Sequence, residues 1–201
     1  MSLEFLLLFL VTFTSILILP GPNVIFAVGQ SLKYGFWGSI YVPFGFMAST
    51  GIQATLVFSG LGILISKYAQ ALLFLKWVGV AYLLYLAYKT FFKKNNTVEG
   101  QGKELSGSKM FITAMLFSLT NPKALLASVL TYPLFISSEY SYVPQASSIA
   151  LCAMVISFTV YGAYSFSASV FKKRLIKNKW GNKIVGGLYL VAAGTLASKS
   201  T

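Results

Sequence analysis

Histidine and aspartate are absent from this chain of 201 residues, and its four acidic side chains, Glu4, Glu99, Glu104 and Glu139, lie at the ends of apolar runs or between them. With no imidazole and no carboxylate inside a run, most general acid-base and metal-site chemistry is excluded, so no enzymatic activity, cofactor or metal is expected. Cysteine is nearly absent as well. The single thiol, Cys152, permits neither a disulfide framework nor a thiolate cluster, and its place in an apolar run reads as packing. Charged residues make up 10% of the chain, against about 25% in soluble domains. A surface so poor in charge faces lipid, not water.

What the chain has in abundance is apolar sequence, 56% of its residues, with a mean hydropathy of +0.73. The runs are Leu3 to Leu32, broken at Pro20-Gly21-Pro22, then Gly38 to Ile65, Ala69 to Phe92, Met110 to Ile136, Ala146 to Phe171 and Ile184 to Ala197. A spanning helix needs about 20 apolar residues, so the expectation is an all-α integral membrane protein of about six transmembrane helices, in a single multi-pass domain over 1–201. The first and fourth runs exceed one crossing, which fits helices interrupted by irregular backbone. For the first run the alternative is a complete span followed by an interfacial helix.

The net charge of +12 comes from sixteen Lys and Arg residues that sit almost entirely in gaps between runs, where they orient helices; no nucleic-acid partner is expected. Lys93, Lys94, Lys103 and Lys109 follow the third run, and Lys172, Lys173, Arg174, Lys177, Lys179 and Lys183 follow the fifth. Both loops are expected in the cytoplasm, which places both termini outside for six spans.

Internal repetition organises the runs. Lys76-Trp77-Val78-Gly79-Val80-Ala81-Tyr82-Leu83 and Lys183-Ile184-Val185-Gly186-Gly187-Leu188-Tyr189-Leu190 share Lys, Val, Gly, Tyr and Leu in register, 107 residues apart. Pro20-Gly21-Pro22-Asn23 and Asn121-Pro122-Lys123 pair at a similar offset. This predicts two repeats, about 1–94 and 109–201, joined by a cytoplasmic linker over about 95–108. Three spans in each make the second repeat inverted relative to the first, with the proline-broken first and fourth helices as counterparts.

Chemistry concentrates at those two breaks. Proline removes a backbone donor and collides with the carbonyl four residues back, and within a bilayer the freed groups need partners or a cavity. The helix after Pro22 presents N-H groups and a partial positive charge that suit a carboxylate, with Asn23 at its start. Lys123 is the one charge well inside a run, and at that depth an ammonium costs at least about 2.5 kcal/mol, so it needs a partner or a water-filled site. Gln53, Ser49 and Thr50 in the second run and Ser157, Thr159 and Tyr161 in the fifth are the other polar groups at depth. The candidate substrate site is therefore Pro20, Gly21, Pro22, Asn23, Gln53, Asn121, Pro122 and Lys123. A structural lysine that satisfies the break is the competing reading. Gly35, Gly38, Gly45, Gly79, Gly162, Gly186 and Gly187 read as close-packing positions, with Gly45 beside Pro43 as a candidate hinge; Tyr82, Tyr85 and Tyr88 read as a packed face; and Trp37, Trp77 and Trp180 read as interfacial anchors.

The combination of Pro20-Gly21-Pro22-Asn23, Gly35 and Gly45, Gly79-Val80-Ala81-Tyr82-Leu83-Leu84-Tyr85-Leu86 and Asn121-Pro122-Lys123-Ala124 resembles the LysE/RhtB-type amino-acid exporters of bacterial inner membranes. The resemblance spans nearly the whole chain. Leu19 and Ala87 depart from it, standing where the family often has Thr or Ser and usually has Gly. It implies a secondary transporter that carries amino acids or their derivatives out of the cytoplasm, driven by the membrane potential or proton gradient. Its expected partners are the amino-acid substrate and the lipid bilayer, and a homodimer is compatible with so small a carrier. The alternatives are a small-solute channel or a non-transporting subunit of a membrane complex. No intramembrane Asp, Glu or His offers itself as a proton carrier.

Overall fold

A computed structural model describes residues 2–60 and 106–176, with isolated positions in 77–88 and 183–197; among these the chain is helical apart from turns. Helix α1, Leu3–Ile18, starts where the Ser2 hydroxyl accepts the Phe5 N-H at 3.3 Å, which caps one orphan donor of the first turn. It stops before Pro20 and Pro22, and α2, Pro22–Ser39, restarts with proline at its first position, where no donor is lost. The two helices meet at 64°. Helix α3, Tyr41–Phe58, carries Pro43 harmlessly in its first turn. Helix α4, Gly107–Leu119, and α5, Pro122–Thr131, repeat the arrangement of the first pair. Pro122 again opens the second half-helix, and the pair bends by 63° before a single 3-10 turn over Tyr132–Phe135. Helix α6, Tyr142–Ile176, is continuous, and its Tyr142–Phe171 portion is by itself long and apolar enough to cross a membrane.

Both breaks fall where the sequence places them. By length and composition the described residues hold one spanning helix, or up to three spans when each bent pair counts as one. Most of the third and sixth runs, of the linker and of the Lys76 and Lys183 repeat segments lies outside the described residues.

Helix α6 is the central post, packed against α1, α2 and α3, while α4 and α5 rest on α3. Ring contacts identify the two ends of the bundle. Phe5 meets Phe135 and Phe58 meets Tyr142 at one end, with centroids 6.4 and 6.2 Å apart. At the other end Phe36 meets Phe166 at 5.6 Å, and Gly107 abuts Tyr41. The breaks therefore stand at mid-height. Above them, Phe9 and Phe13 of α1 meet Tyr132 of the second half; below them, Phe26 of α2 stacks on Phe117 of α4 at 4.8 Å and Phe46 packs on Tyr161.

Several sequence expectations change in three dimensions. Gly45 is no hinge, because α3 runs through it without interruption, and its missing side chain lets α4 approach. A Cβ there would stand 2.5 Å from the Phe111 carbonyl oxygen. At Gly162 and Gly187 an added Cβ would meet nothing within 4 Å among the described residues, so helix approach does not demand glycine there. Gly35 instead bends α2: its φ of 78° lies in the left-handed region that glycine enters without strain. Tyr85 and Tyr88 are 54% and 64% exposed, and Tyr82 lies outside the described residues; Trp37 and Trp77 are exposed as well. Cys152 packs against the core as a partly buried residue.

Candidate functional site

Asn121, the N-cap of α5, takes the Lys123 N-H on its side-chain oxygen at 3.1 Å. The cap leaves its amide nitrogen free to point at the other break, where it donates to the Asn23 side-chain oxygen at 2.8 Å. One hydrogen bond thus ties the two interruptions together across 98 residues of sequence. The Asn23 amide nitrogen donates in turn to Ser118 Oγ at 3.0 Å and to the Tyr161 hydroxyl at 3.4 Å. Gln53 extends the network from α3: its nitrogen reaches Ser49 Oγ and the Ser118 carbonyl, both at 3.3 Å, and its oxygen accepts from Ser128 Oγ at 2.8 Å. Thr50 bridges to Ser157 Oγ at 3.0 Å. Asn23, Gln53 and Asn121 are buried, and a buried primary amide that lost these partners would be left with uncompensated donors and acceptors.

Lys123 follows the cap by two residues, so its side chain leaves the start of α5 toward the first break. There its ammonium donates to the Leu19 carbonyl at 2.7 Å, and its stem lies against Gly21. The first turn of α2 differs from that of α5 in having no side-chain cap, since Gly21 occupies the N-cap position. Gly21, Asn23 and Val24 of this turn line the same cleft as Lys123.

These groups line one cleft of about 430 Å³, its open mouth included. Phe13, Ile16, Leu17 and Leu19 form the α1 wall; Gly21, Pro22, Asn23 and Val24 the first break; Asn121, Lys123, Ala124, Ala127 and Ser128 the second; Thr50, Gln53, Ser118 and Tyr161 complete it. Lys123 is the single charged side chain among the lining residues. A positive end, a row of amides and hydroxyls and an apolar wall suit a small molecule with one carboxylate and further polar groups.

A family model of LysE type translocators matches residues 14–200. The chain belongs to the LysE type translocator family. It is a membrane protein that exports amino acids or amino-acid derivatives. A homoserine/homoserine lactone efflux protein of Salmonella typhimurium (strain LT2) is 27% identical over 202 residues, with 98% of each chain covered, and one of Salmonella typhi is also 27% identical at the same coverage. An uncharacterized membrane protein of Vibrio cholerae serotype O1 is 26% identical over 98% of both chains. No solved structure gives a significant match.

Of the sequence-predicted site residues in this translocator, Gly21, Pro22, Asn23, Gln53, Asn121 and Lys123 share the cleft, while Pro20 and Pro122 shape the breaks without lining it. Thr159 bonds back to its own helix at the Val155 carbonyl and is exposed. Ser118 and Ser128 were not legible as site residues, because a single hydroxyl in an apolar run carries no signal of its own. Ser118 could have been found from its position in the last turn of α4, three residues before Asn121.

Proposed function

We propose that the chain is a secondary exporter of small zwitterionic amino acids, homoserine among them, and that the paired breaks are its substrate site. The observation that carries this reading is the Asn121 to Asn23 hydrogen bond, which brings the two proline breaks and Lys123 to one cleft. The substrate carboxylate meets Lys123 and the uncapped start of α2, and its ammonium meets break carbonyls and the hydroxyls of Thr50 and Ser128. Because Asn23, Gln53 and Asn121 already bond one another and their neighbours, they act as the frame that holds the breaks together. A second positive charge on the substrate would find no carboxylate among the described lining residues, which favours neutral side chains.

The two halves act as inverted repeats, and rocking one against the other gives alternating access around the site. The protein acts in the bacterial inner membrane as a carrier and not an enzyme, with the basic loops in the cytoplasm. Coupling to the membrane potential or proton gradient runs through Lys123, a tyrosine or the charge of the substrate itself.

Proteoliposomes preloaded with labelled homoserine test the reading. Wild type is expected to export the label and to exchange it against external substrate, whereas flux proportional to the gradient without exchange indicates a channel. Asn23→Ala, which strands the Asn121, Ser118 and Tyr161 groups, is expected to lower the rate by about tenfold or more, since each buried unpaired group costs roughly 1–3 kcal/mol. A well-folded Asn23→Ala protein that exports at the wild-type rate removes the paired-break site. In a Cys152→Ser background, cysteines replacing Lys94 and Lys173 should be labelled from the same, cytoplasmic face; labelling from opposite faces rules out the inverted three-plus-three arrangement.

A further inference from the structure

Helix α1 reaches the first break with carbonyls that have lost their helical partners. The N-H that would serve the Ile18 carbonyl belongs to residue 22, which is Pro22 and has none; the one that would serve Leu19 belongs to Asn23, carried off the α1 axis by the 64° bend. In apolar surroundings each such carbonyl needs a donor. Both donors come from the other half of the chain: the Tyr164 hydroxyl of α6 donates to the Ile18 carbonyl at 2.7 Å, and the Lys123 ammonium donates to the Leu19 carbonyl at 2.7 Å.

Gly21 makes the second of these bonds sterically accessible. Its φ of −166° and ψ of −176° are extended values open to any residue, so backbone conformation does not demand a glycine there. A Cβ at this position would instead stand 3.1 Å from Cδ and 3.2 Å from Nζ of Lys123, tighter than ordinary van der Waals contact. The missing side chain is the space that the lysine occupies on its way to Leu19.

We propose that these two bonds form a latch that holds the end of α1 against the second half of the protein while the site is empty, and that the substrate carboxylate opens it by drawing the Lys123 ammonium off the Leu19 carbonyl. This rests on the paired-break site being the substrate site. A carboxylate is a stronger partner for an ammonium than a neutral carbonyl, so the exchange runs toward substrate. Once it has occurred, Leu19 has lost its donor, and the last turn of α1 draws away from the second half, parting the Tyr164 bond as well. Lys123 thereby has two roles in sequence, helix cap in the empty protein and carboxylate ligand in the loaded one.

The latch makes a prediction of unusual sign. Substrate reaches Lys123 only in unlatched molecules, so the apparent dissociation constant is the intrinsic one divided by the unlatched fraction. Tyr164 does not line the cleft. Tyr164→Phe deletes one oxygen atom, weakens the latch and leaves the site intact, so it is expected to tighten binding by about two- to tenfold, the span of one hydrogen bond. A merely structural role predicts looser binding or none of this change. Tyr142→Phe is the control, since its hydroxyl also holds a helix-end carbonyl, that of Phe58 at 2.6 Å, at the far end of the bundle.

The measurement is equilibrium binding of labelled homoserine and of the twenty common amino acids to the full-length protein in detergent, for wild type, Tyr164→Phe, Tyr142→Phe and Lys123→Ala. Expected are tighter binding in Tyr164→Phe, wild-type affinity in Tyr142→Phe and loss of binding in Lys123→Ala. Weaker or unchanged binding in Tyr164→Phe, or equal tightening in Tyr142→Phe, overturns the latch while loss in Lys123→Ala keeps the site. Wild-type affinity in Lys123→Ala, or no binding of any of these compounds to the wild type, overturns both.

Discussion

Replacing Lys123 by methionine is expected to lower export of labelled homoserine from preloaded vesicles by about ten- to a hundredfold, the effect of losing a charge-assisted hydrogen bond of roughly 1.5–3 kcal/mol. Methionine keeps much of the lysine stem that lies on Gly21, so the loss reports the ammonium and not the packing. The Leu19 carbonyl loses its donor in the same variant, but Leu19 lines the open-mouthed cleft, where water can replace the ammonium, and the protein should remain folded. Lys123→Arg keeps the charge with a larger head that has no room beside Gly21, and should retain a part of the rate. Export by Lys123→Met at the wild-type rate would show that the lysine is only a cap for the broken helix.

Gly45→Val should produce the largest loss of stability among single substitutions at the α3 and α4 contact. A Cβ at Gly45 lies 2.5 Å from the Phe111 carbonyl oxygen, 2.8 Å from Ala114 Cβ and 3.0 Å from the Met115 nitrogen. Two of these neighbours are backbone and the third is a methyl on a helix, so none can turn aside and α4 itself must shift. Overpacking of this kind costs about 1–3 kcal/mol, and the shift carries Ser118 and Asn121, at and just beyond the end of α4, out of register with Asn23. Thermal denaturation followed by size exclusion in detergent should show the loss, together with slower export by the surviving protein. Gly162→Val, where nothing described lies within 4 Å, should remain within about 0.5 kcal/mol of wild type. Equal stability of the two variants would mean that α4 does not pack as closely as described.

Hydrogen bonds join the two proline breaks. Each break frees backbone groups that lipid cannot satisfy, and each supplies what the other lacks: the second offers Lys123 to the carbonyls of the first, and the first offers Asn23 to the amide of the second. A single broken helix would have to satisfy these groups within itself. The aromatic clusters above and below, Phe13 with Tyr132 and Phe26 with Phe117, each join one half of the chain to the other.

Much of this was legible in the sequence, for reasons that act locally. Scarcity of charge, runs long enough to cross and prolines in two of them determine helices, lipid exposure and the places where helices must stop. Asn23 and Lys123 could be singled out because a polar group at depth is expensive wherever the chain folds. Partnership is another matter. That Asn121 reaches Asn23, that Ser128 serves Gln53, and that Tyr164 and Lys123 donate to the orphan carbonyls of α1 depend on how five helices cross, and residues 75 to 146 positions apart carry no mark of one another. Gly21 shows the division most plainly: the sequence reads it as part of a proline turn, but its extended backbone needs no glycine, and only the path of a lysine from the opposite break explains the missing side chain.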